Sequence, residues 1–257
     1  MKTSIIILVV FFVSVSVFAE TDNWSNAKST HFIVYYKNAP DNFIEQLTEK
    51  AEVYYNSIAS DLGFVRYDFW LWDQRAKIYV YDDARTYQIA SGQPAWSAGS
   101  AIAKEKTICT FTDATGFFDA VLPHELGHII FREFVGFDNY AVPLWLDEGV
   151  ASYHQEIKYS VADKIVRESI NTGNFINLEL LSGLNPQSTH EQRASLFYME
   201  AMSIIDYLIK NFGKENFVLF CQNLRDKKDL GSSVAYVYSL GSIQELEQAW
   251  KKYLING

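Results

Sequence analysis

The chain has 257 residues, 49% of them apolar and 16% aromatic, which is ample for a large buried core in one domain. Charged residues make up only 21% and form no long like-charge block, which excludes an intrinsically disordered chain. The formal charge is -9 and no basic stripe offsets it, which argues against a nucleic-acid partner.

Residues 1–19 read as a secretory signal peptide. Lys2 gives a short positive start, Ile5 to Phe18 is apolar apart from Ser14 and Ser16, and Val17-Phe18-Ala19 places small residues where a signal peptidase cuts. The apolar run is short for a membrane span of about 20 residues. Cleavage after Ala19 is therefore expected, with a secreted or periplasmic product of residues 20–257 that keeps no stable membrane insertion. No cysteine lies near the junction, which argues against a lipid anchor.

Thr21 to Ser29 is polar and reads as a loose lead-in. His31 to Tyr36 is β-branched and aromatic and predicts a strand. Pro40-Asp41 opens a helix in which Phe43, Ile44, Leu47, Ala51, Tyr54, Tyr55 and Ile58 recur at helical spacing, up to Gly63. Ala76 to Tyr81 predicts a second strand, and Asp82-Asp83 caps a short helix ending near Ser91-Gly92. Ser97 to Thr112 predicts a hairpin, or one long bent strand, with Lys104-Glu105-Lys106 at its middle as at an exposed sheet edge.

From Phe117 onward the pattern is helical, over about 118–135, 143–157, 161–172, 189–212, 214–226 and 242–254. Ser160 with Asp163 and Ser188 with Glu191 have the spacing of capping boxes, and Gly173 and Gly213 stand where left-handed helix stops belong. Strands with two helices, followed by helices alone, predict an α+β fold: a β-rich lobe at about 30–115 and a helical lobe at about 116–257, within a single domain. The pattern loosens most near Gly173 to Pro186. Cys109 and Cys221 are the only cysteines, too few for a disulfide scaffold, and the sequence leaves their pairing open.

His124-Glu125-Leu126-Gly127-His128 is an H-E-x-x-H motif inside the first of these later helices. Four residues advance a helix by about 400°, so the two imidazoles share a face one turn apart and can reach one cation at about 2.0–2.1 Å. Glu125 is offset enough to miss the metal and face a water that the metal holds. The alternative is a pair of ordinary histidines beside a surface glutamate. The apolar stripe of Leu122, Leu126, Ile129 and Ile130 buries one side of the helix, so its polar face needs a reason. Pro123 requires the helix to start just upstream or to kink there.

A third ligand is still required. A third histidine through x-x-G-x-x-H is excluded, because Phe131 and Phe134 occupy those positions. A carboxylate from the following helix is the other option. Pro143 suits that helix's first turn, Gly149 permits close helix approach, and Glu148 lies twenty residues after His128. Asp147 and Glu156 are the next candidates.

With Trp145-Leu146-Asp147-Glu148-Gly149-Val150-Ala151, the motif resembles the gluzincin zinc metallopeptidases, in particular the bacterial peptidase MA-like group. The likeness is strongest over about 95–155 and continues more weakly through Ser195 to Gly213. The resemblance implies a zincin-type helical half and one zinc per chain on His124, His128 and Glu148. It further implies Glu125 as general base and a peptide or protein substrate.

Tyr198 then has two readings, a donor to the oxyanion of a tetrahedral intermediate or the start of a core stripe with Met202, Ile205 and Ile209. Asp147 either orients a ligand histidine or is a solvated helix residue. His154 reads as a surface histidine. Ala98 to Ala103 matches the edge strand on which this superfamily lays an extended peptide, although its small side chains also suit a plain sheet edge. The competing functions are a catalytically inactive, zincin-fold binding module of the cell envelope and a structural envelope protein. Intact Glu125 argues against the first, and Glu148 in its Trp-Leu-Asp-Glu-Gly setting against the second.

Overall fold

The computed structural model describes residues 24–64, 70–153, 159–226 and 229–256. The signal-peptide reading of residues 1–19, His154 and Glu156 lie outside them. The fold is α+β, with one five-stranded mixed sheet in the N-terminal half and helices thereafter. The chain divides into two compact units, Met1–Asn56 with Tyr67–Ile129, and Ser57–Arg66 with Ile130–Gly257.

In the first unit the strands are β1 (Ser25–Lys28), β2 (Phe32–Tyr36), β3 (Ala76–Tyr81), β4 (Gly99–Ile102) and β5 (Thr107–Phe111), in the order β1-β2-β3-β5-β4. β2, β3 and β5 run parallel, while β1 and β4 close the two sides antiparallel. The register aligns Phe32 with Ala76, Val34 with Ile78 and Ile108, and Val80 with Thr110. All seven are wholly buried, because side chains paired across parallel strands share a face.

Helix α1 (Asp41–Leu62) joins β2 to β3 and buries Ile44, Leu47, Ala51, Tyr55 and Ile58, five residues of the predicted stripe. Phe43 and Tyr54 stay half-buried. The Tyr55 ring meets the Phe32 ring edge-on at 6.3 Å. Helix α2 (Ala84–Ser91) is held by Asp83, whose carboxylate accepts the Thr86 N–H while the Thr86 hydroxyl accepts the Asp83 N–H. β4 and β5 form the expected hairpin, with Ala103–Glu105 as a short 3-10 turn.

The polar lead-in is a correction. Ser25 to Lys28 form a strand because their backbone pairs with β2 along its whole length, which needs no apolar side chain.

The helices of the second part are α3 (Leu122–Val135), α4 (Leu144–Ser152), α5 (Tyr159–Thr172), α6 (Leu178–Gly183), α7 (Glu191–Phe212), α8 (Lys214–Arg225), α9 (Leu230–Tyr238) and α10 (Ile243–Asn256). α3 begins in the first unit and continues into the second at Ile130. Residues 173–186 lie inside the second unit.

Three helix signals are corrected. Ser188 ends a 3-10 turn (Pro186–Ser188), and His190 stands at the N-cap of α7 without a side-chain cap. Ser160 sits within α5 and does not precede it. Gly213 has φ 88° and ψ 157°, which is extended in ψ and not a left-handed helical stop. Helices α6 and α9 are additions, capped by Asn177 and Asp229 accepting from Leu180 and Ser232 N–H groups.

Cys109 on β5 and Cys221 on α8 are both buried and free. Burial pushes the Cys109 thiol up to about 12 and raises that of Cys221 well above its ordinary value. Among the described residues, no helix is long and apolar enough to cross a membrane.

Candidate metal centre

The helix carrying the motif starts in an unusual way. Phe117–Val121 form one wide π turn, whose last bond runs from the Leu122 N–H to the Phe117 carbonyl, and α3 follows directly. Pro123 sits at the second position of α3, where it has no N–H to return to Asp119 and its ring crowds that carbonyl. α3 thus starts one residue before Pro123, directly after the wide turn.

Leu122, Leu126, Ile129 and Ile130 are wholly buried, as the stripe predicts. The polar side of the same helix is buried too: His124 is 1% exposed, Glu125 1% and His128 2%. Two ordinary surface histidines beside a surface glutamate are thereby excluded. Buried polar groups persist only with partners that offset their lost hydration.

Nε2 of His124 and Nε2 of His128 stand 3.2 Å apart, with ring centroids at 4.7 Å and planes at 89°. Glu148 on α4 is 3% exposed. His124, His128 and Glu148 each offer one ligand atom, and all three atoms lie within 4.8 Å of one another. Two donors on one tetrahedral zinc at about 2.0–2.1 Å are separated by about 3.3 Å, so the imidazole spacing fits such an ion without rearrangement. Two imidazole nitrogens with one carboxylate form the donor set of a catalytic zinc site, which keeps a fourth position open.

Helix α4 owes its position to Gly149. A Cβ there would stand 2.4 Å from the Ala201 carbonyl oxygen of α7 and 2.8 Å from Ile205 Cγ1. Only a residue without a side chain lets the two backbones touch, and that contact sets the height of Glu148 against α7. Pro143 ends the preceding connection with φ -70° and ψ 154° and serves as N-cap, one residue before the expected first turn. Trp145 Nε1 donates to Ser182 Oγ at 2.9 Å, which ties α4 to α6.

Asp147 is not a solvated residue. It is 0% exposed, and its Oδ2 accepts from Arg132 Nε at 2.8 Å. Arg132 carried no assignment in the sequence, although its position four residues after His128, on the same side of α3, is a readable signal.

Tyr198 lies on α7 and is 9% exposed, while Met202, Ile205 and Ile209 below it are buried as a core stripe requires. Burial raises the Tyr198 hydroxyl above its ordinary range, and the Glu148 carboxylate adds to the shift. Tyr198 thus tops the packed stripe and lies within electrostatic range of Glu148.

A family model of the peptidase MA superfamily matches residues 71–256. That stretch contains β3, the β4–β5 hairpin and every helix from α2 onward, including His124, Glu125, His128 and Glu148. No curated protein matches the sequence.

Proposed function

The chain belongs to the peptidase MA superfamily, and on that premise we propose that it is an exported, zinc-dependent metallopeptidase that hydrolyses peptide bonds. The observation that carries the reading is the buried convergence of His124, His128 and Glu148 with Glu125 adjacent in the same turn of α3. A peptidase superfamily implies a peptide or protein substrate.

His124, His128 and Glu148 would hold the ion. Zinc, when bound, would polarise the scissile carbonyl and lower the pKa of a water towards about 7. Glu125 follows His124 by one residue, about 100° around the helix, which leaves its carboxylate free of the ligand set. It takes a proton from the attacking water as the carbonyl carbon is attacked, and returns it to the amine nitrogen as the peptide C–N bond breaks. Burial strengthens this role, since no bulk water competes for the carboxylate.

Tyr198 donates its hydroxyl proton in a hydrogen bond to the carbonyl oxygen as that oxygen gains negative charge. The raised hydroxyl pKa keeps the proton on Tyr198 at neutral pH, as a donor requires. Among the described residues strand β4 is paired on one side only, with β5, so its other edge offers N–H and C=O groups to an extended peptide. Export rests on the pattern of residues 1–19.

The test uses residues 20–257, loaded with zinc and exposed to a broad peptide mixture read by mass spectrometry. Wild type is expected to cleave, and Glu125→Gln to keep its zinc while losing nearly all cleavage, because an amide accepts no proton. Zinc-replete, folded wild type that cleaves nothing would support an inactive binding module in its place. The N-terminus of the exported protein, read by sequencing, is expected at Glu20.

A further inference from the structure

His124, His128 and Arg132 follow one another at four-residue steps, each about 40° from the last, along one side of α3. The third rung of this ladder is a cation with fixed partners. Arg132 Nε donates to Asp147 Oδ2 at 2.8 Å, and Arg132 Nη1 donates to the Asn139 carbonyl at 3.2 Å. Asn139 in turn donates through Nδ2 to the carbonyls of Val135 at 2.9 Å and Leu224 at 2.8 Å. Its Oδ1 accepts the Ala141 N–H at 3.0 Å. The connection from α3 to α4 is therefore held at its start, at its middle and at the first turn of α4.

A buried ion pair is a poor source of stability, since desolvating both charges costs about as much as their attraction returns. Asp147 has no exposure at all, and the Arg132 side chain is only 15% exposed. What such a pair does supply is direction. The Nε–H bond sets the distance at which the carboxylate approaches, and the second bond, from Nη1 to the Asn139 carbonyl, holds the guanidinium plane. The residue after that carboxylate is Glu148.

We propose that Arg132 is a positioning residue for the third metal ligand: through Asp147 and Asn139 it fixes where α4 begins and hence where the Glu148 carboxylate stands. The inference rests on the reading of Glu148 as a ligand. Arg132 is not among the three candidate ligands. Its effect is read in how well the three donors match one ion, with fold and stability as separate quantities.

The test compares wild type with the paired apolar variant Arg132→Met/Asp147→Leu and with the conservative variant Asp147→Asn, using Zn2+ affinity against a chromophoric chelator. The visible spectrum of the Co2+-loaded protein reports ligand geometry, and melting of the metal-free protein reports stability. The paired variant leaves no buried charge behind, so its metal-free melting should stay near wild type. Its Zn2+ affinity should fall about 10- to 100-fold, as when a group supporting a ligand is removed. The Co2+ spectrum should lose intensity or shift as the three donors cease to match.

Asp147→Asn keeps the acceptor and the shape but not the charge. It should weaken Zn2+ binding in the same direction, and this comparison decides the matter should the paired variant fail to fold. Either variant, folded and binding Zn2+ with wild-type affinity and an unchanged Co2+ spectrum, overturns the proposal. Failure of the underlying reading looks different, because Glu148→Gln would then leave Zn2+ affinity intact. Loss of affinity in Glu148→Gln with none in the paired variant refutes the role of Arg132 alone.

Discussion

Replacing Gly149 by alanine adds a single methyl group at the closest backbone approach described at the site. The new Cβ would stand 2.4 Å from the Ala201 carbonyl oxygen and 2.9 Å from its carbon, both backbone atoms that cannot swing aside. Relief requires α4 and α7 to part by about 1 Å, since unstrained carbon contacts begin near 3.5 Å. Overpacking of this kind costs about 3 kcal/mol, the upper end of its usual range. The better helix propensity of alanine returns about 1 kcal/mol. A net loss of about 2 kcal/mol lowers the melting temperature by about 4–8 °C in a chain of this size.

The effect on the metal should be larger than the effect on stability. Ligand distances tolerate about 0.2 Å, so a displacement near 1 Å at the neighbour of Glu148 should weaken zinc binding at least about 10-fold. Differential scanning calorimetry of the metal-free protein reads the first quantity and chelator competition the second. Gly149→Ala with wild-type melting and wild-type zinc affinity would refute the account of how Glu148 is placed.

His128→Ala and Glu148→Ala should each lose bound zinc on desalting, by elemental analysis, because the remaining pair of ligands holds the ion too weakly. Tyr198→Phe separates the two readings of that residue: an oxyanion donor costs about 10²–10³ in turnover at full zinc occupancy, and a packing residue leaves turnover within a few-fold of wild type. Glu200, on α7, is 0% exposed and its carboxyl is pushed up to about 8, first by burial, although its Oε1 accepts the Ile176 N–H at 3.0 Å. The folded protein therefore holds a proton there that the unfolded chain releases near its ordinary value of 4.5, so stability is full below about pH 4.5 and declines as pH rises to about 8. Glu200→Gln should flatten that part of the stability-against-pH curve measured by urea unfolding, and an unchanged slope would mean that Glu200 is ionised in the fold.

The motif was legible because it is local. H-E-x-x-H needs only helical periodicity, and α3 supplies it, with the apolar stripe buried as read. Glu148 was legible as a carboxylate at a workable distance in sequence, but its convergence on the histidines depends on packing. Gly149 signalled close approach without naming its partner, Ala201, which lies 52 positions further on. Arg132 escaped because a charged residue near a helix end reads as solvated, and only the α3–α4 connection folding back makes it a clamp.

The missed elements share a cause. β1 is Ser-Asn-Ala-Lys, polar but for Ala27, and its backbone pairs with β2 along its whole length. Helices α6 and α9, of 6 and 9 residues, are too short to show a period and are marked only by their caps. The Ser188 signal failed in the opposite sense. Local side-chain chemistry favoured a start there, but Ser188 closes the 3-10 turn Pro186–Ser188 and the helix begins at Glu191.

The two buried cysteines bear on reversibility. While the chain is folded, Cys109 and Cys221 are hidden and held as thiols, so an oxidant finds no thiolate to attack. Unfolding removes both protections together and leaves two ordinary thiols on one flexible chain. In an oxidising medium they can then close a bridge that the native state does not contain, and refolding must wait for its reduction. Heating in air should thus be far less reversible than heating with a reductant present. The folded structure acts as its own antioxidant, and that shelter fails all at once.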